Sequence, residues 1–158
     1  MTIEQIKAYL ADCGLGDRVY EFDVSSATVE LAAQALGCEP CRIAKTMSFL
    51  VEERPVLVVL AGDARVDNHK FKEVFHQKAK MLSHEQVAQL TGFPVGGVCP
   101  FLAPENTKVY LDESLKRFDI VYPAAGTRNS AVKVTVDELE RAAAPDGWVD
   151  VSKLPQTE

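Results

Sequence analysis

The 158-residue chain contains no apolar run approaching the roughly 20 residues needed to cross a bilayer; the longest covers about residues 56–61. Its first ten residues, MTIEQIKAYL, have acidic side chains and no basic region ahead of an apolar segment, so they fit no secretory signal. A cytoplasmic protein with no membrane partner is expected. Cysteine is scarce: only Cys13, Cys38, Cys41 and Cys99. In the cytosol such thiols stay reduced. Cys38 and Cys41 form a single C-x-x-C. It lacks the second pair, or the spaced histidine pair, that a zinc ribbon needs. It also follows a helix-like segment, whereas a thioredoxin-like pair would follow a strand and open a helix. It reads as a loop pair, and no metal and no organic cofactor is expected. There is no G-x-S-x-G elbow and no histidine beyond His84. His69, His76 and His84 fall on expected helices or their caps, and nothing in their spacing brings one to Cys99 as a base.

An excess of basic charge is lacking too. The formal net charge is −6, which argues against DNA or general nucleic-acid binding. The charge is unevenly spread, however. Residues 1–40 carry a net −5 and residues 135–158 a net −4, leaving +3 for residues 41–134. Within that middle, HKFKEVFHQKAK (69–80) holds four lysines against one glutamate. This is either a solvated helix face or a basic patch for an anionic ligand reached from one side.

What is present is ordinary for a globular protein: 47% hydrophobic and 25% charged residues, in a length that fits one domain over 1–158. Ile3, Ile6, Leu10 and Cys13 recur at helical spacing until Gly14 and Gly16 stop them. Thr28 is an N-cap for a helix with the stripe Val29, Ala32, Ala33 and Leu36, ended by Gly37. Two apolar runs, 47–51 and 56–61, flank the turn EERP as a hairpin. Asn68 would cap a short helix with Phe71, Val74 and Phe75 inward. Ser83 with Gln86, and Thr135 with Glu138, are capping boxes; Val87 and Leu90 would face inward after the first, and Leu139, Ala142 and Ala143 after the second. RVYEFD (18–23), KVYLD (108–112), FDIVY (118–122) and AVKVTV (131–136) are strand-like. Helices and strands intermingle without a βαβ rhythm, so the expected fold is α+β with a mixed sheet.

Two features could carry chemistry. CRIAKTMSFLV puts Lys45 at the first position of an apolar strand, at the sheet's end. Its ammonium could simply snorkel to water, or be held at a pocket mouth to meet a phosphate or a carbonyl developing charge. In TGFPVGGVCPF (91–101), Gly96 and Gly97 lack Cβ atoms, so their backbone N–H groups could approach a ligand, and Pro100 stiffens the loop. The same pattern also suits a bulge or tight turn.

Four segments together resemble the YbaK/EbsC family, the prolyl-tRNA-synthetase-associated domain, whose members include freestanding aminoacyl-tRNA deacylases. They are ATVELAAQALGCEPCRIAKTMSFLV, LTGFPVGGVCPF, VYLDESL and AAGTRNSAVKVTVDEL, in the family's order over about residues 20–143. The resemblance implies a mixed, mostly antiparallel, partly barrel-like sheet surrounded by helices. It implies a trans-editing hydrolase for a small amino acid on mischarged tRNA, tRNA(Pro) by analogy. The partners would be the aminoacyl-tRNA 3′ end and a prolyl-tRNA synthetase. Lys45 matches the essential lysine, and Gly97 a catalytic backbone position. Thr46, Gly96, Val98, Cys99, Pro100, Phe101, Ala125 and Gly126 match substrate-binding positions. The family's hydrolysis is substrate-assisted by the terminal ribose 2′-hydroxyl, so no protein base is required. Members specific for alanyl-tRNA carry asparagine after the lysine and a later histidine, whereas this chain has Thr46 and none. The small run Ala124, Ala125, Gly126 is more similar to the branch with cysteinyl-tRNA(Pro) deacylases. The alternatives are a non-catalytic tRNA- or synthetase-binding module of the same fold, and a thiol or metal protein built on Cys38 and Cys41.

Overall fold

The computed structural model describes residues 2–155. Its helices begin at caps, each of which satisfies amide N–H groups that would otherwise lack acceptors. Thr2 and Gln5 form a capping box for α1 (Ile3–Asp12), which buries Ile6 and Leu10 one turn apart. After β1 (Val19–Glu21), the Thr28 hydroxyl caps α2 (Val29–Leu36), and Gly37 at φ 70° ends it. A hairpin of β2 (Ile43–Val51) and β3 (Arg54–Ala61) leads through β4 (Arg65–Val66) to α3 (Asn68–Phe75). The Ser83–Gln86 box opens the short α4 (His84–Gln86), which widens into a π-helical turn over Val87–Thr91. Then come β5 (Lys108–Asp112), β6 (Ile120–Pro123), β7 (Ser130–Val132) and β8 (Val134–Thr135). The Thr135–Glu138 box starts α5 (Val136–Ala143), followed by β9 (Gly147–Val149) and β10 (Ser152–Lys153).

The main sheet has six strands in the order β8-β6-β2-β3-β5-β9, curved into a half-barrel flanked by the five helices. The expected α+β fold with a mixed sheet is what forms. The long antiparallel ladder is the β2–β3 hairpin, and β6, β5 and β9 add to it in parallel. Pro55 through Ala61 are all buried, because β3 lies inside the sheet with both faces covered. Phe49, Phe71, Phe93 and Phe101 fill the core, and the Phe49, Phe71 and Phe75 rings pack in series at 4.9 and 4.6 Å. Two short ribbons, β1–β7 and β4–β10, lie outside the main sheet.

Four local expectations are corrected. Asp67, not Asn68, caps α3, its carboxylate accepting from the His69 and Lys70 N–H groups. Val74 is exposed, because Phe71 and Phe75, one turn apart, already occupy the inward face of α3. Leu90 is only half-buried, on the π-helical turn. AVKVTV is not one strand: β7 pairs with β1 and β8 with β6, so the chain changes partner at exposed Lys133. Among the described residues, no helix is long and apolar enough to cross a membrane.

Candidate active site

Lys45 is the third residue of β2, not the first, and stands opposite Leu60 in β3. Its half-buried side chain reaches the turn after β3, where the ammonium donates to the carbonyls of Ala64 at 2.5 Å and Gly62 at 3.4 Å. Gly62 is required there: a Cβ would lie 2.0 Å from the Pro40 carbonyl oxygen, so only glycine lets the C-x-x-C turn pack against the carbonyls that hold Lys45. Burial pushes the Lys45 ammonium below the ordinary lysine range; Asp63 opposes this, Arg65 adds to it, and Glu30 opposes it again. An ammonium has three hydrogens, so one remains to present to a ligand.

Lys45 borders a cavity of about 300 Å³. One wall is the start of α2, including Thr28 and Ala32. The floor is β2 from Ile43 to Thr46, and the far side carries Gly96, Val98, Tyr122 and Ala131. The Thr46 hydroxyl is buried with no hydrogen-bond partner among the described residues. The N–H groups of Gly96 and Val98 also have no protein acceptor among the described residues. Gly96 has φ 85°, and a Cβ on it would meet Ala27 at 2.8 Å. The cavity is therefore bordered by many small residues, a buried hydroxyl without a partner among the described residues, and one held cation.

Of the residues singled out from the sequence, Lys45, Thr46, Gly96 and Val98 meet at this cavity, and the other six do not. Gly97 is buried behind the wall; its N–H already donates to the Pro94 carbonyl at 3.0 Å, and its missing Cβ makes room for Thr127. Cys99 and Phe101 are fully buried in the core, and Pro100 is buried between them. Gly96, at φ 85°, sits in the tight turn closed by the Gly97 N–H to Pro94 carbonyl bond, and this turn leaves Gly96 and Val98 at the cavity while Gly97 and Cys99 are buried behind it. Burial pushes the Cys99 thiol up to about 12, the reverse of an activated nucleophile. Ala125 gives its N–H to the Ser130 hydroxyl, and Gly126 packs on Ile6, leaving Ala124 at the cavity.

The sequence reading missed Ser26, Ala27, Tyr122 and Ser130. The segment before α2 is tied to the β7 side by hydrogen bonds from Ser26 N–H to the Arg128 carbonyl and from Phe22 N–H to the Asn129 carbonyl. That pairing spans about a hundred residues and leaves no local pattern. The basic stretch 69–80 contributes nothing to the cavity lining. Cys38 is half-buried and its thiol is raised by burial, and among the described residues no group of three or more His, Cys, Asp or Glu could hold a metal.

The sequence model of the aminoacyl-tRNA editing domain matches residues 24–142. An uncharacterized protein of Bacillus subtilis (strain 168), YwhH, is 44% identical over 97% of this chain and 98% of its own. A proline–tRNA ligase of Aquifex aeolicus (strain VF5) is 34% identical over 56% of this chain, which is 16% of the ligase. A solved structure of a candidate trans-editing enzyme for prolyl-tRNA synthetase superposes with a TM-score of 0.84 at 30% identity, covering 96% of both chains. The matched stretch includes both Lys45 and the wall formed by Gly96 and Val98, and the chain belongs to the family of aminoacyl-tRNA editing domains.

Proposed function

We propose that the protein is a trans-editing hydrolase that removes a small amino acid from a mischarged tRNA, with tRNA(Pro) the expected carrier. The observation that supports this most is Lys45, held by two carbonyls at the edge of a cavity walled with alanine and glycine. An enzyme of this kind answers a physical need. A synthetase separates small side chains by only about 1–3 kcal/mol per methylene, so a second sieve is required.

The chemistry is ester hydrolysis. Water attacks the carbonyl carbon, the bond from that carbon to the ribose oxygen breaks, and the leaving oxygen takes a proton. Among the described lining residues only Lys45 and Tyr122 have ionisable side chains, and a charged lysine is not a base. As the family resemblance implies, the neighbouring ribose hydroxyl of the substrate relays the proton. Lys45, with one ammonium hydrogen to spare, and the unspent N–H groups of Gly96 and Val98 steady the negative charge that develops on the ester. The Thr46 hydroxyl finds its missing partner in the bound substrate. The amino-acid side chain sits among Ala32, Ala124 and Ala131, which limits its size. A prolyl-tRNA synthetase is the proposed source of the mischarged tRNA, in keeping with the ligase relatives.

The test is a panel of tRNA(Pro) charged with cysteine, alanine, serine, 2-aminobutyrate and proline. Hydrolysis of at least one non-cognate ester is expected, with prolyl-tRNA(Pro) spared. A folded protein inert across the panel would leave only a binding module.

A further inference from the structure

Lys45 has a second neighbourhood. With Val29 it also borders a wider groove of about 880 Å³, whose far wall is the β4–β10 ribbon with Leu154 and Pro155 after it. In that ribbon Arg65 stands directly opposite Lys153, and both are exposed. Like charges facing each other across an antiparallel pair repel and weaken it. Neither has an ion-pair partner among the described residues, whereas nearby Lys70 is tied to Asp150. Among the described residues, two carboxylates line the groove. Asp63 is engaged by the Arg117 guanidinium, which leaves Glu30. Asp67 is close enough to Lys153 to feel its charge, but it does not line the groove, and its Oδ1 caps α3. Among the described lining residues, Lys45, Arg65 and Lys153 thus face one acid not held by an arginine, Glu30. Lys153 lies beyond residues 24–142 matched by the family model, whereas Arg65 lies within them.

We propose that this groove binds the phosphodiester backbone of the RNA strand leading to the ester, with Arg65 and Lys153 each meeting a phosphate. The inference rests on the editing reading, because a 3′ ester in the smaller cavity brings the phosphates of the preceding nucleotides past Lys45 into the groove. The opposed cations repel in the free protein, and phosphates between them relieve that repulsion. An overall acidic protein then offers RNA a local cationic track beside the ester site.

The test uses the whole chain and an uncharged RNA hairpin with the acceptor stem and single-stranded 3′ end of tRNA(Pro). Affinity is measured against salt for wild type, Lys153→Gln, and the double variant Arg65→Gln/Lys153→Gln. Each single-strand phosphate contact contributes about 0.7 to the slope of log affinity on log salt, so the slope should flatten by about 0.7 and about 1.4. Without RNA, the double variant should melt no lower than wild type, since it loses a repulsion. An unchanged slope in both variants overturns the proposal. So does inorganic phosphate raising the wild-type melting temperature through these two residues while the RNA slope stays put, which would mark a free-phosphate site. The hairpin carries no ester, so the groove and the hydrolysis fail separately. A flattened slope without turnover of any ester removes the enzyme and keeps the groove. Turnover with an unchanged slope does the opposite.

Discussion

Thr46 is the residue whose buried hydroxyl has no partner among the described residues, and the proposed function gives it one in the bound ester. A buried hydroxyl without a hydrogen bond costs about 1–3 kcal/mol. Thr46→Val should therefore leave the fold as stable or more so, while lowering kcat/KM for the preferred ester. Denaturant melts and single-turnover kinetics check both halves, and loss of stability with intact kinetics would mean the hydroxyl serves the fold. Cys99 is the contrasting case. Its thiol titrates near 12 in the folded chain, above the ordinary value of about 8.5. The unfolded state releases its proton first, so stability is fully present below about 8.5 and is lost as pH climbs towards 12. Wild type should lose more stability between pH 8 and 10.5 than Cys99→Ala does. The variant should keep its activity and give up about 1 kcal/mol of packing at neutral pH. Lys45 was legible in the sequence because a charge inside an apolar strand is conspicuous. The different placement of Gly96 and Gly97 was not legible because two adjacent glycines look alike in sequence, and only the turn closed onto Pro94 separates the one at the cavity from the one against Thr127.

The elements were most legible where the signal is local. Thr28, the Ser83–Gln86 box and the Thr135–Glu138 box each open a helix where the sequence put one, and Gly37 closes α2. The break between β7 and β8 was not legible, since it arises from two partners distant in sequence, β1 and β6. The β2–β3 hairpin has a stored cost. Its two-residue turn holds Glu52 and Glu53 in the left-handed region, at φ 51° and 66°. A side chain with a Cβ pays about 1–2 kcal/mol there, and Asn-Gly is the favoured pair. Glu52→Asn/Glu53→Gly should raise stability by about 1 kcal/mol with no change in ester hydrolysis, because the turn is at the end of the ladder far from Lys45 in register. A lower melting temperature would contradict this reading of the turn.

Across the whole molecule, the cavity brings three distant stretches together: the segment before α2, the strand bearing Lys45, and the wall of Gly96 and Val98. Nothing in local periodicity announces that meeting; the family resemblance supplied Lys45 and the loop around Gly96 and Val98, but not the segment before α2. The ligase relatives carry the matched stretch as a small part of a long chain, 16% in one case, whereas YwhH matches over nearly its full length. The central claim is that Lys45 acts on an aminoacyl ester. It is tested most directly by single-turnover hydrolysis of the best ester in the panel by wild type and by Lys45→Ala, with folding of both verified by their melts. Removing a donor to the developing charge should slow the reaction by about 100-fold or more. A folded Lys45→Ala that hydrolyses the ester at the wild-type rate would contradict the account.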